Sequence, residues 1–434
     1  MGLATLALVA LVLGNGPSAA GSIAVARAPS GSSLESSSAQ SRAWTASGDI
    51  CVRLSRHESR PSVVITGGLG SEAPMKIARA GDSLTVNGRS VENAAASQTA
   101  AELWIEPRDK EAGLVLDGVT YCGRLRIRLP QGPDASTRNG LSVDNIVDFE
   151  DYIAGVVAGE TQLLGAEIAE LEAQAIASRS FALAQLSARG SRSLEVRLFD
   201  STRDQAYAGK FAPTRDPRSQ AASRALALAI ERTRGKILKD GSECLDARFH
   251  AACGGRTASS EDVFPEAARF VSLRGVDCAA CRNELGPVSG TGSSTLPASA
   301  RDLSWRTLLT REQLDQLAIN LNVGDRILRI EPVRRDRIGR WIEVEVRGTQ
   351  SARKLSFEHV RRELKTGAIS SNLVLITGPR AGTDIVDTLL LSGRGRGHGV
   401  GLCQNGCREL ALRGWSAAKI LEHYYPGTSL VDGR

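Results

Sequence analysis

The feature that most constrains this chain is a glycine-rich segment near its end, Ser392 to Cys407, with the sequence SGRGRGHGVGLCQNGC. Glycine occupies every second position from 393 to 401, so the backbone has almost no side-chain cover and is costly in entropy to order. Chains accept that cost where the backbone bends sharply or approaches a ligand or another strand closely. The segment contains neither G-x-G-x-x-G nor G-K-[ST], which argues against a phosphate-binding loop. Two interpretations remain: a glycine-rich turn before a helix, or a binding loop carrying His398 and Gln404.

The composition favours a mildly basic globular protein. The 434 residues include 54 Lys and Arg against 48 Asp and Glu, a net charge of +6, and the sequence pI is near 9.0. Such a balance suits acidic partners, among them nucleic acid, anionic lipid surfaces and cell-wall polymers. No run of Lys and Arg with interleaved aromatic residues occurs, which argues against nucleic acid as the partner.

The first 48 residues have the pattern of an export segment followed by a linker. Leu3 to Gly14 is an apolar run too short to span a bilayer, and small residues follow at 18–20. We therefore predict a signal peptide over residues 1–20 and an extracytoplasmic location, periplasmic or associated with the cell wall. An uncleaved N-terminal anchor is the alternative, because no Lys or Arg precedes the apolar run. Residues 21–48, rich in Ser and Ala, are predicted to be a flexible linker.

Residues 49–118 read as a β-rich section. Short alternating runs separated by Gly, Pro, Asn and Asp predict strands at 50–52, 62–66, 84–86, 103–105 and 114–116 in this section and at 125–129 just beyond it. Cys51 and Cys122 fall in or next to this section, and an oxidising compartment would allow them to form a disulfide.

The second informative stretch ends at Glu160. Apolar neighbours in Val156-Val157-Ala158-Gly159 predict a raised carboxyl pKa, which a general acid near neutral pH requires. The alternative is a surface glutamate that opens a helix and is stabilised by its dipole. Ala166 to Ser187 then predicts one helix. Its Arg179 is either buried or cleft-facing, where it could hold an acidic or sugar group, or solvated.

Four residues with metal-ligand spacing follow. His250-x-x-Cys253 and Cys278-x-x-Cys281 form two short pairs, as in a structural Zn²⁺ site with three Cys and one His. Disulfides among the three cysteines are the competing interpretation, and His250 could instead line a cleft.

The last third alternates between helix and strand signals. A linker is predicted at Gly286 to Ala300, strands over 327–349, and helices after the N-cap Thr310 and at Phe357 to Lys365. A helix from Leu402 to Leu412 would carry Cys403 and Cys407 on one face, and Ser416 would cap a last helix ended by Pro426-Gly427.

Several of these stretches resemble the stage II sporulation protein D family. The glycine-rich segment resembles its closing motif, G-R-G-x-G-H-G-V-G-x-[SC]-Q-x-G-A, from which only Cys407 departs. FEDYIAGVVAGE resembles its L-E-D-Y-L-x-G-V-V-x-x-E, and LEAQAIASRSFAL resembles its L-x-A-Q-A-V-A-A-R-T-Y-A-L. DSTRDQAYAG and RFHAACGGRTASSEDVF resemble two further motifs, so the likeness extends from Gly123 to Gly433. Thr161-Gln162 stands where the family has Met-Pro.

The resemblance implies a secreted lytic transglycosylase that cleaves peptidoglycan between N-acetylmuramic acid and N-acetylglucosamine, preferably in strands without stem peptides. It places the catalytic glutamate on Glu160, the residue that closes the motif FEDYIAGVVAGE. One carboxylate suffices because the sugar's C6 hydroxyl replaces the second one that most glycosidases need. Arg179 and His398 are expected to support catalysis by positioning the sugar or its oxocarbenium-like transition state. The residues expected to bind substrate are Tyr207, His250 and Gln404.

The expected fold is α+β, with mixed sheets and a few helices framing a substrate cleft over residues 119–434, and the glycine-rich segment bringing His398 towards Glu160. Two other functions stay open. Relatives described as amidase enhancers would make the chain a wall-binding protein that stimulates a cell-wall amidase. A metal-dependent amidase would need an open metal site, whereas cysteine-rich ligands suit a closed structural one.

Overall fold

The computed structural model of the chain describes residues 44–69, 73–90, 102–130, 140–190, 193–195, 197–282, 303–364, 369–378 and 387–434. Its helices and several separate sheets confirm the predicted α+β class. The predicted signal peptide, most of the 21–48 linker and the Gly286 to Ala300 linker lie outside the described residues. Among the helices within these ranges, none is long and apolar enough to cross a membrane.

The chain divides into two compact units. The first comprises residues up to 171, residues 182–237 and residues 432–434, and the second comprises residues 172–181 and 238–431. The boundary predicted between residues 118 and 119 is not one of these divisions, and it stays a prediction.

The first unit contains most of the β-rich section. Its strands are β1 (Asp49–Arg53), β2 (Ser62–Thr66), β3 (Met75–Ala80), β4 (Ser83–Val86), β5 (Arg89–Ser90), β6 (Glu102–Ile105), β7 (Leu114–Leu116), β8 (Val119–Tyr121), β9 (Arg124–Arg128), β10 (Ser142–Asp148) and β11 (Arg197–Phe199). They form a five-stranded sheet in the order β11-β1-β10-β9-β6 and a six-stranded sheet in the order β5-β4-β3-β2-β7-β8. All six predicted strands are confirmed.

Two tight turns set the register of the six-stranded sheet. Asn87-Gly88 joins β4 to β5 and Asp117-Gly118 joins β7 to β8, and all four residues have positive φ. Asn-Gly and Asp-Gly adopt this backbone easily, and its twist matches that of the strands on either side.

A buried ionic cluster crosses the five-stranded sheet. Asp144 on β10 has no exposed surface, and its carboxylate accepts hydrogen bonds from Arg53 at 2.6 Å, Arg128 at 2.9 Å and Arg126 at 3.0 Å. Burial raises the pKa of Asp144, but the three guanidinium groups lower it more, so the pKa is depressed overall.

The proposed pairing of Cys51 with Cys122 is wrong, since both are free thiols. Cys51 lies in the middle of β1 opposite Ile146, and its sulfur is 3.7 Å from an Arg126 nitrogen in the ionic cluster. Cys122 lies outside the strands, between β8 and β9, and its carbonyl accepts a hydrogen bond from Asn145.

Three helices complete the first unit: α1 (Phe149–Glu160), α2 (Ile168–Arg189) and α3 (Pro217–Thr233). The helix predicted over Ala166 to Ser187 is confirmed as α2, whose middle turns, residues 172–181, belong to the second unit. Helix α1 follows β10 directly, and the N-cap Asp148 accepts a hydrogen bond from the Glu150 amide.

The second unit is built from small sheets and short helices. Its strands are β12 (Lys236–Asp240), which begins in the first unit, β13 (Glu243–Cys244), β14 (Phe249–His250), β15 (Ser304–Leu309), β16 (Ile327–Arg335), β17 (Trp341–Gly348), β18 (Ala352–Ser356), β19 (Leu373–Gly378), β20 (Leu389–Arg394), β21 (Leu402–Cys403) and β22 (Ser429–Asp432). Its helices are α4 (Ser260–Val263), α5 (Ala279–Arg282), α6 (Arg311–Asn320), α7 (Phe357–Glu363), α8 (Gln404–Leu412) and α9 (Ala417–Tyr424).

The predicted elements of this unit are found with one change. Thr310 caps α6, Ser416 caps α9, and 327–349 forms the hairpin of β16 and β17. The helix expected from Leu402 begins at Gln404 instead, because Leu402 and Cys403 pair in parallel with Phe249 and His250. Cys403 is therefore the N-cap of α8, and its sulfur accepts a hydrogen bond from the Gly406 amide.

Candidate functional site

Glu160 is the last residue of α1, so it ends a helix rather than opening one. Its half-buried side chain accepts a hydrogen bond from the Ala206 amide, with 2.6 Å between nitrogen and Oε1. The negative end of a helix dipole does not favour a carboxylate, and the amide offsets this. The hydrogen bond fixes the orientation of the carboxyl group.

Two glycines of α1 allow residues 206–209 to approach the helix. A Cβ at Gly159 would lie 2.5 Å from the Ala206 oxygen, and one at Gly155 would lie 2.6 Å from the Gly209 oxygen. Glycine is thus required where the backbone that binds Glu160 packs on the helix.

Tyr207 has a different role from the one expected. Its side chain is only 2% exposed, its hydroxyl donates to Asn145 Oδ1 at 2.8 Å, and its ring centroid lies 5.2 Å from that of Tyr152. Burial raises the pKa of Tyr207 well above its usual value. Tyr207 therefore anchors the segment carrying the Ala206 amide and does not present a ring or hydroxyl to a sugar.

Arg179 is fully buried in the middle of α2, within the second unit. One of its guanidinium nitrogens lies 3.4 Å from the Ala175 carbonyl oxygen. Of the alternatives that the sequence left open, the structure shows the buried position and not the solvated one.

The backbone of the glycine-rich segment lies close to the backbone of residues 248–258. Gly395, Gly397, Gly399 and Gly401 all have φ between 74° and 90°. The Gly399 oxygen accepts a hydrogen bond from the Ala258 amide at 2.7 Å, and the Leu402 amide donates to the Arg248 oxygen at 3.1 Å. A Cβ at Gly395 would lie 2.7 Å from the Ala252 oxygen. The alternating left-handed residues thus allow the chain to lie directly on residues 248–258.

The segment brings His398 and His250 together, with ring centroids 5.6 Å apart. His398 Nδ1 accepts a hydrogen bond from the Val400 amide, and His250 Nδ1 lies 3.1 Å from the Val400 oxygen, to which it can only donate. Burial lowers the pKa of His250 to about 4 and that of His398 well below 6.5, so both rings are neutral at pH 7. Phe264 packs its ring 4.9 Å from that of His398.

Gln404 belongs to a chain of side-chain amides. Its Nε2 donates to Gln174 Oε1 at 3.3 Å, and Gln174 Nε2 donates to the Ser178 hydroxyl at 3.0 Å. These two hydrogen bonds link Gln404, the first residue of α8, to α2 within the second unit.

Four buried cysteines cluster in the second unit. One sulfur each from Cys253, Cys278, Cys281 and Cys403 lies within 4.8 Å of the others, and the group could hold a metal ion. Three of these were predicted as ligands, but the fourth is Cys403 and not His250. The reason is that the His250 ring is turned towards His398 and hydrogen-bonds the Val400 oxygen.

Sequence reasoning missed Phe264, Gln174 and the place of Cys403 in the cysteine cluster. Phe264 closes the stretch RFHAACGGRTASSEDVF, so its position in a motif was a usable signal. Gln174 lies in the stretch LEAQAIASRSFAL, so its position in a motif was a usable signal as well. Cys403 was considered with Cys407 on a helix, whereas its place beside His250 comes from pairing between distant strands.

Two parts of the chain match models of known protein families. Residues 137–239, which include Glu160 and Tyr207, match a family model described as Stage II sporulation protein. Residues 299–401 match a second one, described as Domain of unknown function (DUF8618).

Three relatives are similar over part of their length. An uncharacterised protein of Brachyspira hyodysenteriae is 26% identical over 75% of this chain and 76% of its own length. Stage II sporulation protein D of Bacillus amyloliquefaciens is 27% identical over 67% of this chain and 76% of its own. The amidase enhancer of Bacillus subtilis is 25% identical over 47% of this chain but only 32% of its own length.

These matches support a cell-wall-related role. They also support the resemblance to the stage II sporulation protein D family that the sequence motifs indicated.

Proposed function

We propose that this protein is a lytic transglycosylase of peptidoglycan, acting between N-acetylmuramic acid and N-acetylglucosamine and preferring strands without stem peptides. The observation that carries the proposal is the oriented carboxyl group of Glu160, held by the Ala206 amide at 2.6 Å within the residues that match the family.

In the proposed reaction, Glu160 begins as the acid. Its carboxyl proton goes to the glycosidic oxygen as the bond to C1 breaks. The resulting carboxylate then takes the proton of the sugar's C6 hydroxyl, which bonds to C1 and closes a 1,6-anhydro ring. One carboxyl group serves both steps, and no water is consumed.

Fewer residues of the second unit are proposed to contact the sugar than the sequence suggested. His398 and Gln404 are proposed to contact the sugar, His398 as a neutral imidazole that hydrogen-bonds without adding charge. Two buried residues are proposed to act as positioning groups: His250, through the shared Val400 backbone, and Arg179, through α2. The convergence of His398 on Glu160 stays a prediction.

The test is a digest of stem-peptide-free glycan strands by wild type and Glu160→Gln, read by mass spectrometry. Wild type is expected to release products about 18 Da below their hydrolytic masses, one water fewer. Glutamine keeps an oxygen for the Ala206 amide but has no proton to transfer, so the variant should fold normally and lose at least about 10²-fold in rate. Glu231→Gln, an exposed carboxylate on α3, is the matched control and should keep full activity.

The alternative is a binding protein that stimulates a cell-wall amidase, favoured by the similarity to the amidase enhancer. This alternative would replace the enzyme proposal if wild type and Glu160→Gln both bind glycan strands, neither cleaves them, and both speed hydrolysis by an added amidase. Full cleavage to anhydro products by Glu160→Gln would mean that the protein is a transglycosylase in which another residue donates the proton.

We also propose that the chain acts outside the cytoplasm, where its substrate lies, after export by its N-terminal segment. N-terminal sequencing of protein recovered from the cell envelope would distinguish cleavage near residue 20 from an uncleaved anchor. The proposed chemistry needs no metal, and zinc has only a structural place in it.

A further inference from the structure

The four clustered cysteines come from three separate parts of the second unit. Cys253 follows β14, Cys278 and Cys281 flank the start of α5, and Cys403 ends β21. We propose that they bind one Zn²⁺ as a closed tetrathiolate site, and that this ion fixes the glycine-rich segment that carries His398 and Gln404. The metal site does not depend on the proposed reaction and can fail or stand without it.

The sulfur positions fit a tetrahedral metal better than disulfides. Zn–S bonds of about 2.3 Å put the sulfurs of a tetrahedron about 3.8 Å apart. Cys281 and Cys403 have sulfurs 3.5 Å apart, and all four lie within 4.8 Å of one another. A disulfide needs about 2.05 Å, and all four cysteines are free thiols.

Each sulfur has a hydrogen-bond contact from outside the cluster, and the Cys403 sulfur also lies 4.0 Å from the Ala251 oxygen. The Gly255 amide donates to Cys253 and the Gly406 amide to Cys403, both at 3.4 Å. The Tyr424 hydroxyl lies 3.3 Å from Cys278, and Asn405 Nδ2 donates to Cys281 at 3.5 Å. One donor for each of four sulfurs is the outer shell expected around metal-bound thiolates.

In so buried a place the four cysteines could be thiolates only beside a cation. The four side chains are each 2% exposed or less, and isolated thiolates in such a place would be strongly unfavourable. Zn²⁺ would reduce four negative charges to two. The buried guanidinium of Arg340 adds positive charge nearby, donating to the Cys253 oxygen at 2.8 Å and the Arg256 oxygen at 3.0 Å.

The backbone already aligns the ligand segments. The Cys278 amide donates to the Gly255 oxygen at 3.0 Å, and the Asn405 amide donates to the Ala251 oxygen at 2.9 Å. A Cβ at Gly406 would lie 2.7 Å from the Cys278 sulfur, so glycine is needed where α8 approaches the cluster. Four protein ligands leave no open coordination position, which makes the site structural. Because Cys403 directly precedes Gln404, the ion would hold the end of the glycine-rich segment.

The experiment measures the metal content of the full chain, purified under reducing conditions without chelator and after incubation with Zn²⁺. We expect about one Zn²⁺ per wild-type chain, and below about one tenth for Cys281→Ser and Cys403→Ser, because losing one thiolate removes most of the affinity. Cys244→Ser is the control, since this half-buried thiol donates to the Ser180 oxygen outside the cluster and should leave the metal content unchanged.

Two further measurements do not depend on those variants folding. Co²⁺ substituted into wild type should give the visible d–d absorption of tetrahedral cobalt and a near-ultraviolet thiolate charge-transfer band. Tyr424→Phe removes only the donor to Cys278 and should weaken Zn²⁺ binding about 10-fold to 100-fold in competition with a chromophoric chelator.

Three results would overturn the inference. The first is that wild type contains no Zn²⁺ after reconstitution. The second is that bound Co²⁺ gives the spectrum of an octahedral oxygen site. The third is that peptide mapping of native protein from the cell envelope finds a disulfide among the four cysteines.

Discussion

Replacing Gly159 by alanine tests how the candidate acid is held. The new Cβ would lie 2.5 Å from the Ala206 oxygen, whereas ordinary contacts begin at 3.4 Å, so residues 206–208 must move by about 0.9 Å. A movement of that size lengthens the 2.6 Å hydrogen bond from the Ala206 amide to Glu160 to about 3.5 Å, beyond the usual range.

The energies of this change oppose one another. Alanine in place of glycine in a helix gains at most about 1 kcal/mol. A lost hydrogen bond to a charged carboxylate costs about 1.5–3 kcal/mol. We therefore expect a net loss of about 0.5–2 kcal/mol in the free energy of unfolding. The misplaced carboxyl group should lower the rate of glycan cleavage about 10²-fold, as a displacement near 1 Å commonly does.

Urea unfolding and the glycan digest measure the two effects. Ala158→Gly, one residue earlier in α1, is the control: it should lose up to about 1 kcal/mol of stability through helix propensity and keep its activity. A Gly159→Ala protein that is more stable than wild type and fully active would refute the reasoning, because helix propensity would then be the whole effect.

Two more predictions concern the first unit. His57 is 1% exposed, and burial lowers its pKa from 6.5 to about 4, against an opposing effect of Asp117, so the native state favours the neutral ring. The contribution of the neutral His57 ring to the free energy of unfolding should be complete above pH 6.5 and be lost, by at most about 3 kcal/mol, as the pH falls through 4. His57→Gln should remove this pH dependence, which urea unfolding at several pH values would measure. Asp144→Asn removes the buried carboxylate that three guanidinium groups share and leaves them only more exposed carboxylates, so it should cost about 3–5 kcal/mol in urea unfolding. A loss below about 1 kcal/mol would show that the cluster tolerates the change.

Local patterns predicted most of the elements of this fold. Alternating apolar residues gave the strands of the β-rich section, and capping residues such as Thr310 and Ser416 marked helix starts correctly. Both signals depend only on neighbours within a few residues, so no knowledge of the tertiary structure was needed.

The site was less predictable because its contacts join distant residues. Motif position singled out Glu160, but its partner is the backbone amide of Ala206, which any residue except proline would supply. Spacing suggested His250 as a metal ligand, yet the parallel pairing of β14 with β21 supplies Cys403 instead. Tyr207 looked suited to a sugar, and only its contacts with Asn145 and Tyr152 reveal a core residue.

The four left-handed glycines from 395 to 401 also make this short segment an unusually sensitive target for genetic change. Every single-nucleotide missense change in a glycine codon introduces a residue with a Cβ. In a left-handed conformation such a residue costs about 1–2 kcal/mol before any contact is counted. At Gly401 the added atom would also meet the Arg248 oxygen. A native protein has a free energy of unfolding of only about 5–15 kcal/mol, so each such change removes a sizeable part of it. A mutational scan should therefore find few tolerated substitutions at these four glycines.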